Sequence, residues 1–251
     1  MPARHRKAPY LLIDISNSYT KLAFSTRAQV GRAAQVRTKE LSRAALLAFT
    51  AGREVEAVIV SSVVPAKNGV IAKLWSSSRV LFIDAKCDLG VGVDYPQPQT
   101  IGADRLANAV AVRELYGCPA IVVDFGTAVT FDVVSAKGDY IGGVIAPGLE
   151  SMTSFLYQRT ALLPKLTLRE PAGAIGRSTR AAMMSGAVFG YRGLVREILA
   201  RIREESFARR KVRVVATGGY AELIARQLPE IEAVHAGLTL EGLRLIGNRN
   251  S

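Results

Sequence analysis

The chain has 251 residues, 49% of them hydrophobic, and carries a formal charge of +12. That length fits one large or two moderate domains with an ample core. It contains no uninterrupted apolar run of roughly 18 residues, which argues against a membrane span, and its two cysteines, Cys87 and Cys118, make neither a disulfide framework nor a metal cluster.

In chain order, residues 9–14 read as a strand and 19–24 as its return, with a short third strand near 28–36. A helix is expected over 41–49, with Ser42 as its cap, then a strand over 55–60, a helix over 66–75 and a strand over 80–84. A loop rich in Gly, Pro and Gln covers 88–100; its length hints at function. Residues 103–116 predict a helix, and Gly117 follows where a helix C-terminus favours glycine. The second half repeats the order: a strand at 120–124, its return at 127–134 and a third strand at 139–145. Helices are then expected near 147–158 and 179–206, a strand at 212–216, and helices at 220–227 and 238–246. Each half is a meander of strands followed by alternating helices and strands, a duplicated mixed-sheet α/β architecture. The halves divide as 9–116 and 117–248.

The charge is concentrated. Arg4, Arg6 and Lys7 lie in the leader, and six basic residues stand against Glu204 and Glu205 between Arg201 and Arg213. A nucleic-acid surface is one reading, but neither stretch interleaves aromatics suited to base stacking. A solvated tail and a solvated helix end account for them better. The apolar run after the basic leader is only about five residues long, too short for a signal-peptide core, so a soluble cytoplasmic protein is expected.

The stretch IVVDFGTAVTFD, from Ile121 to Asp132, is a strand, a small-residue bend and a return strand. Gly126 lets backbone approach a ligand. Thr127 offers its N–H and hydroxyl to a phosphate oxygen, and Asp124 points a carboxylate at whatever the bend cradles. An ordinary buried hairpin capped by an aspartate gives the same pattern. The pattern recurs, however: Leu12-Ile13-Asp14-Ile15-Ser16-Asn17-Ser18-Tyr19-Thr20-Lys21 aligns on it without a gap, about 110 residues upstream. Two halves that each offer a phosphate hairpin suggest a nucleotide held in an interdomain cleft, with Asp14 and Asp124 holding cations directly or through water.

Gly102-Ala103-Asp104-Arg105 opens the long helix. Asp104 there is either a helix N-terminal carboxylate or the base that takes a proton from an attacking hydroxyl. Arg105 can fork onto a carboxylate or phosphate, or form a surface ion pair. GGVIAPG, from Gly142 to Gly148, joins a strand to a helix, and Thr217-Gly218-Gly219 follows a strand; both suit close backbone approach. No Walker-type phosphate loop and no dinucleotide fingerprint is present.

With paired hairpins, GADR, GGVIAPG, TGG, IGRSTRAAMMSG and LTLEGL, the chain resembles the type III pantothenate kinases of the acetate and sugar kinase, actin-like superfamily, over roughly residues 10 to 247. The resemblance implies a duplicated ribonuclease-H-like (actin-like ATPase) fold, an α/β class with mixed sheets, flanking helices and an interdomain nucleotide cleft. It implies ATP-dependent phosphorylation of pantothenate, the first step toward coenzyme A, with Mg2+ and a monovalent cation, K+ or NH4+. Asp14, Ile15, Ser16, Asn17, Ser18, Tyr19, Thr20 and Lys21 would form the first ATP loop, and Thr127 would contact ATP from the second. Asp124 would bind the monovalent cation, and Asp104 would be the general base. Tyr95, Gly102, Ala103, Asp104, Arg105 and Thr179 would line the pantothenate pocket of a homodimer. A family relative that regulates gene expression without catalysis, or a kinase for another small alcohol, are the alternatives.

One departure carries an expectation. The family's first loop usually reads D-x-G-N-T, whereas here Ser16 stands at the glycine position and Ser18 at the threonine. Ser18 keeps a hydroxyl. If Ser16 must adopt positive φ, it costs roughly 1 kcal/mol or more and weakens ATP binding.

Overall fold

The computed structural model describes residues 10–75, 79–208 and 210–250. The strands are β1 (Tyr10–Ile15), β2 (Tyr19–Ser25), β3 (Ala34–Arg37), β4 (Ala57–Ser62), β5 (Val80–Phe82), β6 (Ala120–Phe125), β7 (Ala128–Val134), β8 (Tyr140–Pro147), β9 (Arg213–Thr217) and β10 (Ala233–Val234). The helices are α1 (Arg43–Thr50), α2 (Pro65–Ala72), α3 (Ala103–Tyr116), α4 (Leu149–Arg159), α5 (Thr179–Ser206), α6 (Ala221–Ala225) and α7 (Leu238–Arg249). The chain divides into two compact units, Met1–Leu115 with Gly237–Ser251, and Tyr116–Ala236.

The first unit is built on a sheet of order β3-β2-β1-β4-β5. β1 lies at its centre, antiparallel to β2 and parallel to β4. All six of its residues are buried, as expected of a central strand covered on both faces. One face carries Leu11, Ile13 and Ile15, packed with Val58, Val60, Leu46 of α1 and Ile71 of α2. By the strand's two-residue period the other face carries Tyr10, Leu12 and Asp14. That face meets α7, where a Cβ on Gly247 would stand 3.0 Å from Ile59 Cγ1 and 3.6 Å from Tyr10 Cε2. α7 in turn lies close on α3. A Cβ on Gly242 would stand 2.5 Å from the Ala107 carbonyl carbon, and Thr239 Oγ1 and Asn108 Oδ1 are hydrogen-bonded at 2.9 Å.

The second unit repeats the plan, in the order β10-β9-β6-β7-β8. β6 is central, antiparallel to β7 and parallel to β9. Its core joins Ile121, Val123, Phe125, Phe131 and Val214 to Tyr191, Val195 and Leu199 of α5. Where α1 stands in the first unit, between third and fourth strands, the second has α4 and the 28-residue α5.

The structure corrects several expected boundaries. The third strand begins at Ala34 rather than near 28, because the chain first closes a turn in which Thr26 N–H donates to Gln29 O at 3.0 Å. α4 starts at Leu149, since β8 runs on to Pro147, an acceptable place for proline at the end of an edge strand. α6 spans only Ala221–Ala225, and the two-residue β10 carries too little pattern to be read. Residues 237–248 do not stay with the second half: α7 packs on β1, β4 and α3 of the first unit, because Gly242 and Gly247 let it lie close on them. Among the described residues no helix is long and apolar enough to cross a membrane.

Candidate active site

The first hairpin places Asp14 one residue before the end of β1, opposite Lys21 on β2 and beside Ser61 on β4. Asp14 is 4% exposed, while Asn17, Ser18 and Tyr19 at the bend are exposed. The bend is closed by Ser16 N–H donating to Tyr19 O at 3.1 Å. Thr38 braces it from the sheet side. Its hydroxyl donates to Ser16 O at 2.6 Å and shares a 3.0 Å bond with the Thr20 hydroxyl, and its N–H donates to Ser18 O at 3.0 Å. The expected strain at Ser16 is absent. Among the described non-glycine residues only Ala51 and Ala208 have positive φ.

The GADR segment sits at the same end of this sheet. Val63, just past β4, donates its N–H to Ile15 O at 3.0 Å. A Cβ on Gly102 would stand 3.4 Å from Val63 Cγ1 and 2.6 Å from Asp104 Oδ1. Gly102 is thus fitted between the β4 exit and the Asp104 carboxylate. Asp104 Oδ1 accepts the Arg105 N–H at 2.9 Å, so the start of α3 fixes one carboxylate oxygen. Tyr95 is half-buried on the loop before it. That loop is tied down at its beginning, where Asn250 brackets Asp88, accepting from its N–H at 3.1 Å and donating to its carbonyl at 2.9 Å. Arg249 also donates to Asp88 Oδ1 at 3.1 Å and holds that carboxyl below the usual carboxylate range.

In the second unit three loops meet at the matching end of the sheet. Asp124 lies opposite Thr130 on β7 and beside Thr217 on β9. Thr127 O accepts from Gly148 N–H at 3.1 Å and from the Ser151 hydroxyl at 2.7 Å, which sets the start of α4 on the bend. Gly148 must be glycine: a Cβ there would stand 2.5 Å from Gly126 O and nearer still to Thr127 O. Gly218, at φ +93°, brings the TGG loop against the Asp124 carboxylate, where a Cβ would stand 2.6 Å from Asp124 Oδ1. Tyr220 then donates its hydroxyl to Glu150 Oε2 at 3.1 Å, joining this loop to α4. Thr179 is exposed at the first turn of α5, behind Ser178, whose hydroxyl accepts the Ala181 N–H at 3.2 Å.

The structure therefore gathers Asp14 to Lys21 with Gly102 to Arg105 in one unit, and Asp124, Thr127 and the TGG loop in the other. The chain also matches the sequence profile of the type III pantothenate kinases over residues 10–201. It belongs to the type III pantothenate kinase family. A type III pantothenate kinase of Akkermansia muciniphila is 50% identical over 242 residues, covering 96% of this chain and 99% of that one. Among solved structures, a conserved Campylobacter jejuni protein described as a Baf family transcriptional activator matches with a TM-score of 0.61 at 17% identity, covering 96% of this chain and 98% of its own. An inorganic polyphosphate/ATP-glucomannokinase from Arthrobacter sp. strain KM matches at 0.50 and 15% identity, covering 96% and 99%. At those identities the likeness shows the fold alone, a duplicated ribonuclease-H-like (actin-like ATPase) fold.

For a type III pantothenate kinase, the donor set suits cations that travel with a nucleotide. Among the described residues no group of three or more His, Cys, Asp or Glu could cage a metal. Single carboxylates at two bends fit a hydrated ion completed by substrate phosphates. Two residues of the basic stretch, Arg201 and Arg213, are paired with carboxylates. Arg201 pairs with Glu197 at 2.8 Å and Arg213 with Glu232 at 2.9 Å, while Arg203 donates to Glu230 O at 3.3 Å. Arg201, Arg210, Lys211 and Arg213 are exposed. Arg4, Arg6 and Lys7 lie outside the described residues. Sequence reasoning missed Ser61, Thr38, Ser151 and the Glu150–Tyr220 bond. Extending the repeat from the hairpins to the neighbouring parallel strands would have found Ser61, since it and Thr217 occupy one place in the duplicated sheet.

Proposed function

We propose that the protein transfers the γ-phosphoryl group of ATP to the primary hydroxyl of pantothenate, giving 4'-phosphopantothenate and ADP at the head of coenzyme A synthesis. Family membership, with a 50% identical relative covering 96% of the chain, carries this reading, and the placement of GADR beside the first hairpin supports it. Asp104 takes the hydroxyl proton as the oxygen attacks phosphorus and the bond to the ADP oxygen breaks. Its carboxylate is oriented for this by the Arg105 N–H. Tyr95, Gly102, Ala103, Arg105 and Thr179 line the pantothenate site, with Arg105 forking onto the substrate carboxylate. The Asp14–Lys21 hairpin and Thr127 serve the ATP phosphates. Mg2+ with Asp14, and K+ or NH4+ with Asp124, offset phosphate charge when bound. The protein acts in the cytoplasm as a homodimer. The apolar side chains exposed on β8 and α4, Ile145, Met152, Phe155, Leu156 and Tyr157, are the surface a second copy would cover.

The test is turnover of purified protein with ATP, Mg2+, K+ and pantothenate, compared with Asp104→Asn. We expect a loss of about a hundredfold or more in kcat in the variant, with its fold intact. Equal turnover in the two proteins would remove Asp104 as the base. Activity on other small alcohols but not pantothenate would reassign the substrate.

A further inference from the structure

We infer that Ser61 and Thr217 are ligand-facing hydroxyls, each completing with the aspartate on the adjacent strand a carboxylate–hydroxyl pair that holds a nucleotide-associated cation or one of its waters. This rests on the ATP-dependent reading above. Ser61 is the parallel-strand partner of Asp14, and Thr217 is the partner of Asp124. Adjacent residues in parallel register share a face of the sheet, so each hydroxyl stands on the same side as its carboxylate. Both residues are 0% exposed. Neither hydroxyl has a hydrogen-bond partner among the described residues.

Buried hydroxyls are nearly always satisfied. An orphan lowers stability, and replacing it by a methyl group of the same shape is neutral or favourable. The same orphan at one topological place in both halves, once as serine and once as threonine, has no packing rationale, because alanine and valine would fill the space more stably. Its chemistry points to a ligand. A hydroxyl oxygen beside a carboxylate oxygen suits a hard cation or a bound water. The surroundings confine the second pair: Gly218 follows Thr217 so close to the Asp124 carboxylate that an added Cβ would stand 2.6 Å from its Oδ1. In the first unit, the Ser62 hydroxyl bonds Asn68 Oδ1 at 2.6 Å and Val63 N–H bonds Ile15 O, so the strand end carrying Ser61 is fixed on both sides.

The experiment uses the full chain as wild type, Thr217→Val, Thr217→Ser and Ser61→Ala. The melting temperature is measured without ligand and with MgATP in KCl, and turnover is titrated with K+ and with Mg2+. Thr217→Val should melt at or above the wild type, lose the thermal shift given by MgATP with KCl, and need about tenfold more K+ for half-maximal turnover, while KM for pantothenate is unchanged. Thr217→Ser should restore both responses. Ser61→Ala should do the same to the Mg2+ requirement. A Thr217→Val protein that melts lower than wild type yet keeps its K+ dependence and thermal shift would overturn the inference, since the hydroxyl would then be structural. Absence of wild-type turnover would sink the kinase reading alone. The ligand-induced thermal shifts would still decide whether these hydroxyls meet a bound cation.

Discussion

At one matched position of the two hairpins the first carries Ser16 and the second Gly126, and the backbone gives that difference a sign. Neither position is in left-handed backbone. A Cβ on Gly126 would stand 3.4 Å from Ala128 O and 3.8 Å from Asp124 Oδ1, ordinary contact distances. Gly126→Ala therefore restricts the unfolded chain without straining the folded one, and should stabilise by about 0.4–1 kcal/mol. Ser16→Gly should do the reverse, costing about 0.5–1 kcal/mol. Gly148→Ala is the contrast. Its Cβ would collide with the carbonyls of Gly126 and Thr127, which are backbone and cannot swing aside. Either α4 retreats and the two bonds to Thr127 O are lost, or the bend shifts; the cost is about 2–4 kcal/mol. Urea denaturation gives the stabilities, and steady-state kinetics give KM for MgATP. We expect the wild-type KM in Ser16→Gly and a raised one in Gly148→Ala. The reasoning is refuted if Ser16→Gly is more stable and binds ATP more tightly, or if Gly126→Ala loses as much as Gly148→Ala. Either result would mean the bend needs positive φ.

Further outcomes follow from other contacts. Arg192, 3% exposed, forks onto Glu170 at 2.8 and 2.7 Å and donates to the carbonyls of Leu223 and Ile224 at 2.7 and 3.2 Å; Arg192→Met should cost about 2–4 kcal/mol in chemical denaturation. Hydrogen bonding to Arg192 holds the Glu170 carboxyl below the ordinary glutamate range. Its contribution is therefore present above the unfolded pKa and lost as pH falls through the folded one. The Glu170→Gln deficit, about 1 kcal/mol or less for a side chain one-third exposed, should be largest near neutrality and vanish in acid. Gly242→Ala should destabilise by about 2–4 kcal/mol, since the added carbon meets the Ala107 backbone of α3; a neutral result would show that the two helices part freely. Asn250→Ala releases the start of the 88–100 loop, and KM for pantothenate should rise more than kcat falls.

What the sequence made legible was local and strongly patterned. β1 and β6 were readable because a central strand buried on both faces is a continuous apolar run, and both carry an aspartate one residue before their end, with an apolar and then a small residue after it. Helix α3 was readable because it carries its own punctuation, Gly117 after its last turn. The sign of φ at Ser16 was not readable, because a glycine in relatives is compatible with either backbone region and only the bend geometry decides. The hydrogen-bonded environment of Thr38 was equally hidden: it lies 22 residues from Ser16 in sequence and meets it only through β2 and β3.

The repeat itself shows where a pattern of descent and a pattern of contacts separate. In sequence order α7 follows the fifth strand of the second half, as α3 follows the fifth strand of the first. Dividing the chain by that repeat assigns α7 to the second half. Its contacts assign it to the first, where Gly247 lies over Ile59 and Tyr10 and Gly242 over Ala107. Both fifth-strand helices thus serve one unit, and that unit is the one with GADR at the start of α3. Helix α3 is met at Ala107 and Asn108, about one turn past Asp104, by a partner that touches its backbone. A base that must meet a hydroxyl within hydrogen-bond reach needs such a fixed origin. On the proposed role of Asp104, the small residues of LTLEGLRLIG help fix the helix that carries it, although they lie in the other copy of the repeat.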